Sequence, residues 1–312
     1  MFFEKEGDQF VAKQTDRVLL ATAQSTSTPI ETLEALSKHE DSMLRHGVAS
    51  NPKCPPKLLE TLVTDPLELV RSAVASNPAC PPNLQQLLAH DEHWYVRTAL
   101  ASNVNLQEDL FNTLSQDDEE DVLCNIASHH QCPEKDLYVL ADDLAPVRAC
   151  VASNKTCPAE LLKTLLADES DEVRIAVAEN INCPGELLGH LATDDEEYIR
   201  AEVAKNQNTL PHHLLLLAMD PVKHVQNAAI VSLQSKPTDY WQLAVTSGLS
   251  LDTTLINPIS QRSQTCGDLL ISSDVSSGYQ SMQAEELTLA INKATETPSP
   301  AQKAKSTTTM RM

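Results

Sequence analysis

Apolar residues recur along most of this chain in two alternating patterns. Residues 70–77, Val-Arg-Ser-Ala-Val-Ala-Ser-Asn, have the apolar spacing of a short helix that buries one face. Residues 81–88, Pro-Pro-Asn-Leu-Gln-Gln-Leu-Leu, follow as a second helix, because proline suits a first helical turn and blocks continuation of the preceding one. Asparagine tolerates the left-handed conformation, so Asn77 can end the first helix in that conformation, and we expect the asparagine slot to form hydrogen bonds with the backbone at the turns. The pattern predicts pairs of short helices.

The paired pattern repeats with a period of about 26 residues, which four sequence slots make visible. The arginine slot holds Arg45, Arg71, Arg97, Leu123, Arg148, Arg174, Arg200 and Gln226. The asparagine slot holds Asn51, Asn77, Asn103, His129, Asn154, Asn180 and Asn206. The cysteine slot holds Cys54, Cys80, Leu106, Cys132, Cys157, Cys183 and Thr209. The aspartate slot holds Asp65, Asp91, Asp117, Asp143, Asp168, Asp194 and Asp220, each placed to cap the next helix. We also expect the arginine and aspartate slots to form ion pairs that lock neighbouring repeats together.

These slots divide the chain into a leader, a stack of repeats and a tail. No single repeat can bury its apolar face alone, so successive repeats must stack into a solenoid. We expect a leader at 1–18, a solenoid at 19–246 and a Ser/Thr-rich, largely disordered tail at 247–312. Within the solenoid, seven full repeats span 45–225, a divergent first repeat spans 19–44, and a cap spans 226–246.

The pattern Val-Arg-x-Ala-Val-Ala-x-Asn-x-x-Cys-Pro-x-x-Leu-Leu-x-x-Leu-x-x-Asp resembles the leucine-rich repeat variant family. The resemblance implies an all-α, right-handed superhelical solenoid in which each repeat pairs an α-helix with a 3₁₀-helix and contains no β-sheet. The residues alone leave the second, short helix as either 3₁₀ or α. A known member of the family carries an iron–sulfur module before its repeats, but no cysteine precedes Cys54 here. We therefore expect no cluster and no other cofactor.

Composition agrees with a helical fold and argues against several functions. Aromatic residues make up only 4% of the chain, and the formal net charge is −21. Residues from Lys236 onward carry six basic and seven acidic side chains, so the acidity belongs to the repeats. Such a surface repels phosphate backbones, and we expect no direct nucleic-acid binding. No apolar run is long enough for a spanning helix, and the charged start does not suit a secretory signal, so we expect a cytoplasmic protein without membrane contact.

The sequence contains no phosphate-binding glycine loop, nucleophile elbow or His-Glu-x-x-His motif, so we expect no enzymatic activity. The periodic cysteines fit a structural role as small buried side chains. One local group, Cys124, His129, His130 and Cys132, has the residue types of a zinc site. His129 and Cys132 occupy ordinary repeat slots, so a repeat that has drifted from the pattern is the preferred interpretation.

The repeats differ most in the turns that run from the aspartate slot to the next helix. These acidic turns are solvated surface in one interpretation and a recognition edge in the other. Trp94 favours recognition, because other repeats place an acid in its slot and an aromatic side chain is a good anchor for a partner. The candidate partner-binding residues are Trp94, Tyr95, Asp118, Glu119, Glu120, Asp171, Glu172, Asp195, Glu196 and Glu197.

Three functional hypotheses follow. The first is a non-catalytic protein-interaction scaffold that binds a basic surface or segment of a partner through its acidic turns. The second is an acidic mimic of nucleic acid that inhibits a DNA- or RNA-handling protein. The third is a metal-binding or redox protein. The first is preferred, because the acidic charge is periodic and no chemical motif supports the third.

Overall fold

The computed structural model describes residues 17–296, which fall into two compact units that meet at residues 161 and 162. The predicted leader, apart from its last two residues, and the final 16 residues of the predicted tail lie outside the described range. Helix α12 (Ala159–Leu165) contains the boundary between the units. Each unit is described separately.

The first unit is a stack of helix pairs that begins with α1 at residues 17–24. The first helix of each later pair is α3 (Ser42–Ala49), α5 (Glu68–Ser76), α7 (Trp94–Ala101), α9 (Glu120–Ser128) and α11 (Ala145–Ser153). The second helix of each pair is α2 (Ile30–Leu36), α4 (Pro56–Leu62), α6 (Pro82–Leu88), α8 (Glu108–Leu114) and α10 (Glu134–Leu140). The odd-numbered helices of neighbouring repeats pack side by side from α3 to α11.

The second unit continues the pairs and then changes architecture. Its repeats contain α13 (Asp171–Glu179), α14 (Gly185–Leu191), α15 (Glu197–Lys205), α16 (Pro211–Leu217) and α17 (Lys223–Ser235). After them come α18 (Thr238–Thr246), strands β1 (Thr254–Ile256) and β2 (Ser263–Thr265), and helices α19 (Cys266–Ser272) and α20 (Ser276–Glu296). The strands form an antiparallel hairpin in which Leu255 faces Gln264.

The second helix of each repeat resolves the choice that the sequence left open. It is an α-helix of seven residues, as in α4 and α6, with proline at its start where the sequence predicts it. The 3₁₀ geometry implied by the family resemblance is limited to i,i+3 hydrogen bonds at the helix ends, such as those from the Leu58 N–H to the Pro55 carbonyl and from the Asp65 N–H to the Leu62 carbonyl. In a helix of only seven residues, few backbone groups can form i,i+4 hydrogen bonds, because most of them belong to the helix ends.

The asparagine slot connects each repeat to the preceding one. The Asn77 side-chain amide donates to the carbonyls of Ala49 at 2.6 Å and Asn51 at 2.8 Å, while its Oδ1 accepts the Ala79 N–H. Asn77 does not adopt the left-handed conformation, because its backbone angles are φ −68° and ψ 124°. The extended backbone directs the Asn77 side chain towards the buried carbonyls of the preceding repeat. The side-chain amide then gives these carbonyls the hydrogen-bond donors that they would otherwise lack.

The arginine and aspartate slots form clamps between repeats. The Arg71 guanidinium donates to both carboxylate oxygens of Asp91, 20 residues ahead, at 2.7 and 2.9 Å, and its Nη1 donates to the Asp65 carbonyl. In the first unit the same bidentate pairing joins Arg45 to Asp65 and Arg97 to Asp117. In the second unit it joins Arg174 to Asp194 and Arg200 to Asp220.

The aspartates do not act as the helix caps that the sequence suggests. Leu67 is the N-cap residue of α5, and its side chain makes no capping hydrogen bond. The Asp65 carboxylate accepts the Leu67 N–H and so fixes the turn before the helix begins. The turn geometry aims the carboxylate at the arginine of the preceding repeat rather than at the free N–H groups of the next helix.

The chain from 247 to 296 differs from the expected disordered tail. Leu255, Leu269, Leu270 and Met282 are buried, and α20 packs against α18. Trp241, in the helix expected to seal the solenoid, is fully buried because α20 covers it. The many serines and threonines conceal the apolar spacing that would reveal these short elements.

The loop between β1 and β2 closes the last repeat. The Asn257 side-chain amide donates to the Leu216 carbonyl at 2.8 Å, and the Ser260 hydroxyl donates to the Met219 carbonyl at 2.9 Å. These bonds pair carbonyls at the C-terminal end of α16, as a terminal repeat must do when no further repeat follows. Among residues 17–296, no helix has both the length and the apolar character needed to cross a membrane.

Candidate functional site: an acidic groove beside Trp94

The acidic turns of the first unit form a groove between two neighbouring repeats. Trp94 stands on one side, as the first residue of α7, and Asp118 and Glu119 stand on the other, just before α9. The groove encloses about 480 Å³ and is open to solvent. It is lined by Ala89, His90, Asp91, Glu92, Trp94, Arg97, Thr113, Gln116, Asp117, Asp118 and Glu119, and we name it the Trp94 groove.

The floor of the groove is the clamp between Arg97 and Asp117. Its Nε–Oδ2 distance is 2.6 Å, and Arg97 Nη2 also reaches Asp118 Oδ1 at 3.2 Å. Burial alone would raise the pKa of Asp117, but hydrogen bonds from Arg97 and from the Glu119 N–H outweigh burial and hold the pKa below its usual value. The floor therefore stays ionised and rigid at neutral pH.

The rim of the groove carries carboxylates that the repeat architecture does not require. The Asp118 side chain is 92% exposed, although one oxygen contacts Arg97. Glu92 is also exposed, and within residues 17–296 neither its carboxylate nor that of Glu119 accepts a hydrogen bond. Because the aspartate slot already holds each turn, these acids are free to interact with a ligand.

Trp94 presents aromatic surface to the groove. It is 39% exposed, its ring stacks on His93 with centroids 6.2 Å apart, and its edge meets Tyr95 at 5.8 Å. Tyr95 is 43% exposed but does not line the groove. Glu120, the first residue of α9, is exposed next to the groove and also outside its lining. The structure thus brings three of the five first-unit candidates together: Trp94, Asp118 and Glu119.

The remaining candidates lie on the acidic turns of the second unit. Asp171 and Glu172 open α13 and are exposed, and Asp195, Glu196 and Glu197 precede or open α15. Tyr198 stands in the same repeat slot as Tyr95, and its ring stacks on His224 at 5.6 Å. Sequence reasoning missed Glu92 and Arg97 as lining residues of the first-unit groove. The repeat register could have revealed Glu92, because it occupies the same slot as Asp118.

Three of the four residues of the hypothetical zinc site, His129, Cys124 and Cys132, use their polar atoms elsewhere. His129 fills the asparagine slot: its Nε2 lies 3.0 Å from the Asn103 carbonyl, and its Nδ1 accepts the Gln131 N–H, so Nε2 carries the proton. The exposed His130 ring stacks on it. Burial, with a smaller contribution from hydrogen bonding to Cys150, raises the pKa of the Cys124 thiol to about 12.

Cys132 behaves like the other cysteines of its slot. Its thiol lies 3.8 Å from the Pro133 carbonyl, as those of Cys54 and Cys80 lie 3.8 and 3.9 Å from the carbonyls of Pro55 and Pro81. In the described part of the chain, no three His, Cys, Asp or Glu side chains converge to hold a metal ion. The structure gives these cysteines the environment of compact apolar side chains.

The stacked helix pairs, with their inter-repeat clamps, define the class of protein: a helical-repeat solenoid. A family model described as leucine rich repeat variant matches residues 171–196. A solved structure titled as a leucine-rich repeat variant with a novel repetitive structural motif is 26% identical, covers 67% of this chain and 87% of its own, and has a TM-score of 0.50. These two matches confirm the resemblance of the repeats to leucine-rich repeat variants that the sequence shows.

Two further comparisons add nothing to this assignment. A solved engineered protein aligns with 86% of this chain and 90% of its own at 14% identity, with a TM-score of 0.16. No curated protein matches the sequence. Repeat solenoids generally serve as protein-interaction scaffolds, because stacking produces extended surface.

Proposed function

We propose that this protein is a non-catalytic scaffold that binds a basic segment of a protein partner at its acidic turns. The observation that carries the proposal is the Trp94 groove, where a partly exposed tryptophan lies beside carboxylates that are outside the aspartate slot. Aromatic anchors surrounded by complementary charge are typical of residues that dominate binding energy. The proposal includes the cytoplasmic location expected from the sequence, and the eight free cysteines are compatible with a reducing compartment.

Comparison with the other turns supports a recognition role over a merely solvated surface. Acids near helix N-termini stabilise helices, but the aspartate slot already places one acid just before the first helix of each full repeat. Trp94 gives the turn no such benefit, and exposing an aromatic ring has a cost in water. A partner that covers the ring removes it from water, and this burial favours binding.

The test is capture of partners from native lysate at low and high salt, with the wild-type chain and two variants as bait. The site variant combines Trp94→Ala with Asp118→Asn, Glu119→Gln and Glu120→Gln. The control variant removes the same three charges from exposed positions on the second helices through Glu60→Gln, Glu108→Gln and Glu134→Gln.

We expect a protein that binds the wild type and the control variant at low salt, is released by salt, and fails to bind the site variant. Equal capture by the site variant would show that the acidic turns of the first unit are not the binding surface. Competition of the captured protein by nucleic acid would favour the nucleic-acid mimic instead.

A further inference from the structure

The Trp94 groove combines features that distinguish between the two basic side chains. Lysine offers a compact ammonium, whereas arginine offers a flat guanidinium with donors in one plane. A flat cation can stack on an indole face and at the same time donate to carboxylates at its edge. The groove brings Trp94 and several carboxylates around the same space.

We infer that the Trp94 groove binds an arginine side chain of the partner's basic segment, with its guanidinium stacked on Trp94 and paired with the rim carboxylates. This inference rests on the proposed function and names the chemistry of the partner. It separates the groove from acidic turns without an aromatic side chain, which attract either basic residue by charge alone.

The rim carboxylates are positioned to bind an arginine side chain. Asp91 and Asp117 are already paired bidentately with Arg71 and Arg97, so their charge is largely compensated. Glu92, Asp118 and Glu119 remain at the rim. Asp118 accepts one hydrogen bond from Arg97, and its side chain is still 92% exposed, which leaves lone pairs for a second guanidinium.

The indole ring is held in place before a ligand arrives. His93 stacks against it with an interplanar angle of 26°, and Tyr95 meets its edge at 84°. Trp94 is the first residue of α7, so its backbone is fixed by the helix and by the Asp91 carboxylate, which accepts the His93 N–H. Preorganisation of this kind lowers the entropy that a ligand must overcome.

The turns on either side in the first unit lack the same combination. The turn before it carries Leu67 at its exposed position, and the turn after it carries Glu120 in the tryptophan slot. Neither supplies an aromatic face beside acids. Among these three turns of the first unit, the Trp94 groove alone combines an aromatic side chain with exposed acids.

The chain itself provides a local reporter for the test. Of its two tryptophans, Trp94 is exposed and Trp241 is fully buried, so a ligand in the groove changes the emission of Trp94 alone. Two blocked peptides of equal length and equal charge serve as probes, one with three arginines and one with three lysines spaced by glycine and serine. Each is titrated into the full chain at low and high salt. Trp94 emission is the readout for chains that retain Trp94, and isothermal titration calorimetry gives the affinity for every chain, because Trp94→Leu and Trp94→Phe lack the reporter.

We expect both peptides to bind at low salt and the arginine peptide to bind about two- to fivefold more tightly, the range of an exposed cation–π contact. Trp94→Leu should abolish this preference and weaken binding of the lysine peptide less than binding of the arginine peptide. Trp94→Phe, which keeps a flat face, should retain part of it. The control variant with Glu60→Gln, Glu108→Gln and Glu134→Gln should keep the full preference.

The outcomes separate the inference from the function on which it depends. Equal affinity of the two peptides for the wild type, or a preference that survives Trp94→Leu, overturns the arginine inference and leaves the acidic scaffold intact. If neither peptide binds at low salt, the basic-segment function fails as well. A preference that disappears only with Trp94→Leu supports both.

Discussion

At the scale of single residues, two carboxylates of similar burial behave in opposite ways because their neighbours differ. Asp65 is paired with Arg45. Burial raises the pKa of Asp65, but the hydrogen bonds from Arg45 and the Leu67 N–H lower the pKa by more, so its pKa in the fold is below the usual value. Asp136 occupies the slot that holds leucine in most repeats, and it is only 1% exposed. Its Oδ2 has no hydrogen-bond partner among the described residues, and burial raises its pKa despite Lys135.

Asp136→Leu should therefore stabilise the protein. At pH 7 the variant removes a buried, incompletely paired carboxylate and restores the apolar side chain of the repeat, so we expect its free energy of unfolding to rise by about 1–3 kcal/mol. The folded pKa of Asp136 lies above its unfolded value, so its contribution to stability is present at low pH and is lost as pH rises through the folded pKa. The advantage of the variant should shrink towards pH 4.

Urea denaturation of the wild type and Asp136→Leu at pH 4.5 and pH 7 measures this effect. Asp142→Leu, at an exposed position of the same repeat, is the matched control and should leave stability within about 0.5 kcal/mol. A variant less stable than the wild type at pH 7 would show that Asp136 makes a favourable interaction in its buried position.

Arg71→Ala should have the opposite effect, because it leaves the Asp91 carboxylate partly buried without its partner. Removing one member of a buried ion pair costs about 3–5 kcal/mol, and Arg71 and Asp91 are 12% and 9% exposed in their side chains. The pKa of Asp91 is lowered in the fold despite burial, chiefly by Arg71. The clamp thus stabilises above the unfolded pKa of aspartate and is lost as pH falls through the folded pKa.

Denaturation of the wild type, Arg71→Ala and the double variant Arg71→Ala/Asp91→Asn separates the two contributions. We expect the second substitution to recover part of the lost stability, because it removes the unpaired charge. The exposed substitution Lys57→Ala serves as the control. No difference between the double and the single variant would mean that water already solvates Asp91 when Arg71 is absent.

At the scale of helices and strands, the sequence predicts what recurs and misses what occurs once. The helix pairs, the arginine–aspartate clamps and the repeat period follow from slots that appear many times. The Asn77 backbone is predicted wrongly, because propensity describes isolated residues while the carbonyls of Ala49 and Asn51 decide its conformation. In the candidate site, Trp94 is visible as an exception within the pattern, but its juxtaposition with Asp118 depends on the packing of two repeats.

The C-terminal elements lack any repeat to reveal them. Their packing depends on contacts that occur only once in the chain, such as that between Gly278 of α20 and Trp241 of α18. A side chain added at Gly278 would place its Cβ 2.7 Å from Cε2 and Cζ2 of the indole. Only glycine allows the two helices to approach this closely, and no periodic pattern in the sequence indicates such a position.

Gly278→Ala should consequently weaken the packing of α20 on α18. We expect a loss of about 1–3 kcal/mol from overpacking and a red shift in tryptophan emission as Trp241 becomes more hydrated. Fluorescence-monitored denaturation measures both quantities. Ser277→Ala, at the exposed neighbouring position, controls for the higher helix propensity of alanine. Unchanged emission together with unchanged stability would mean that the indole can move aside without cost.

At the scale of the whole molecule, the formal net charge of −21 opposes folding through repulsion between acidic side chains. The clamps that hold the repeats are short, at 2.6–2.8 Å, and mostly shielded from solvent, so added salt screens them weakly. The exposed acids, such as Asp118, are screened strongly. Salt therefore weakens the repulsion more than the clamps.

We expect the free energy of unfolding to rise between about 0.01 M and 0.3 M NaCl, as the screening length falls from about 30 Å to below 10 Å. Urea midpoints across this range measure the effect. Binding of a basic segment should weaken over the same range, so the two properties must move in opposite directions. That opposition rules out unfolding as the reason for salt-sensitive binding. A fall in stability with salt would show instead that exposed ion pairs, rather than repulsion, dominate the electrostatics of the molecule.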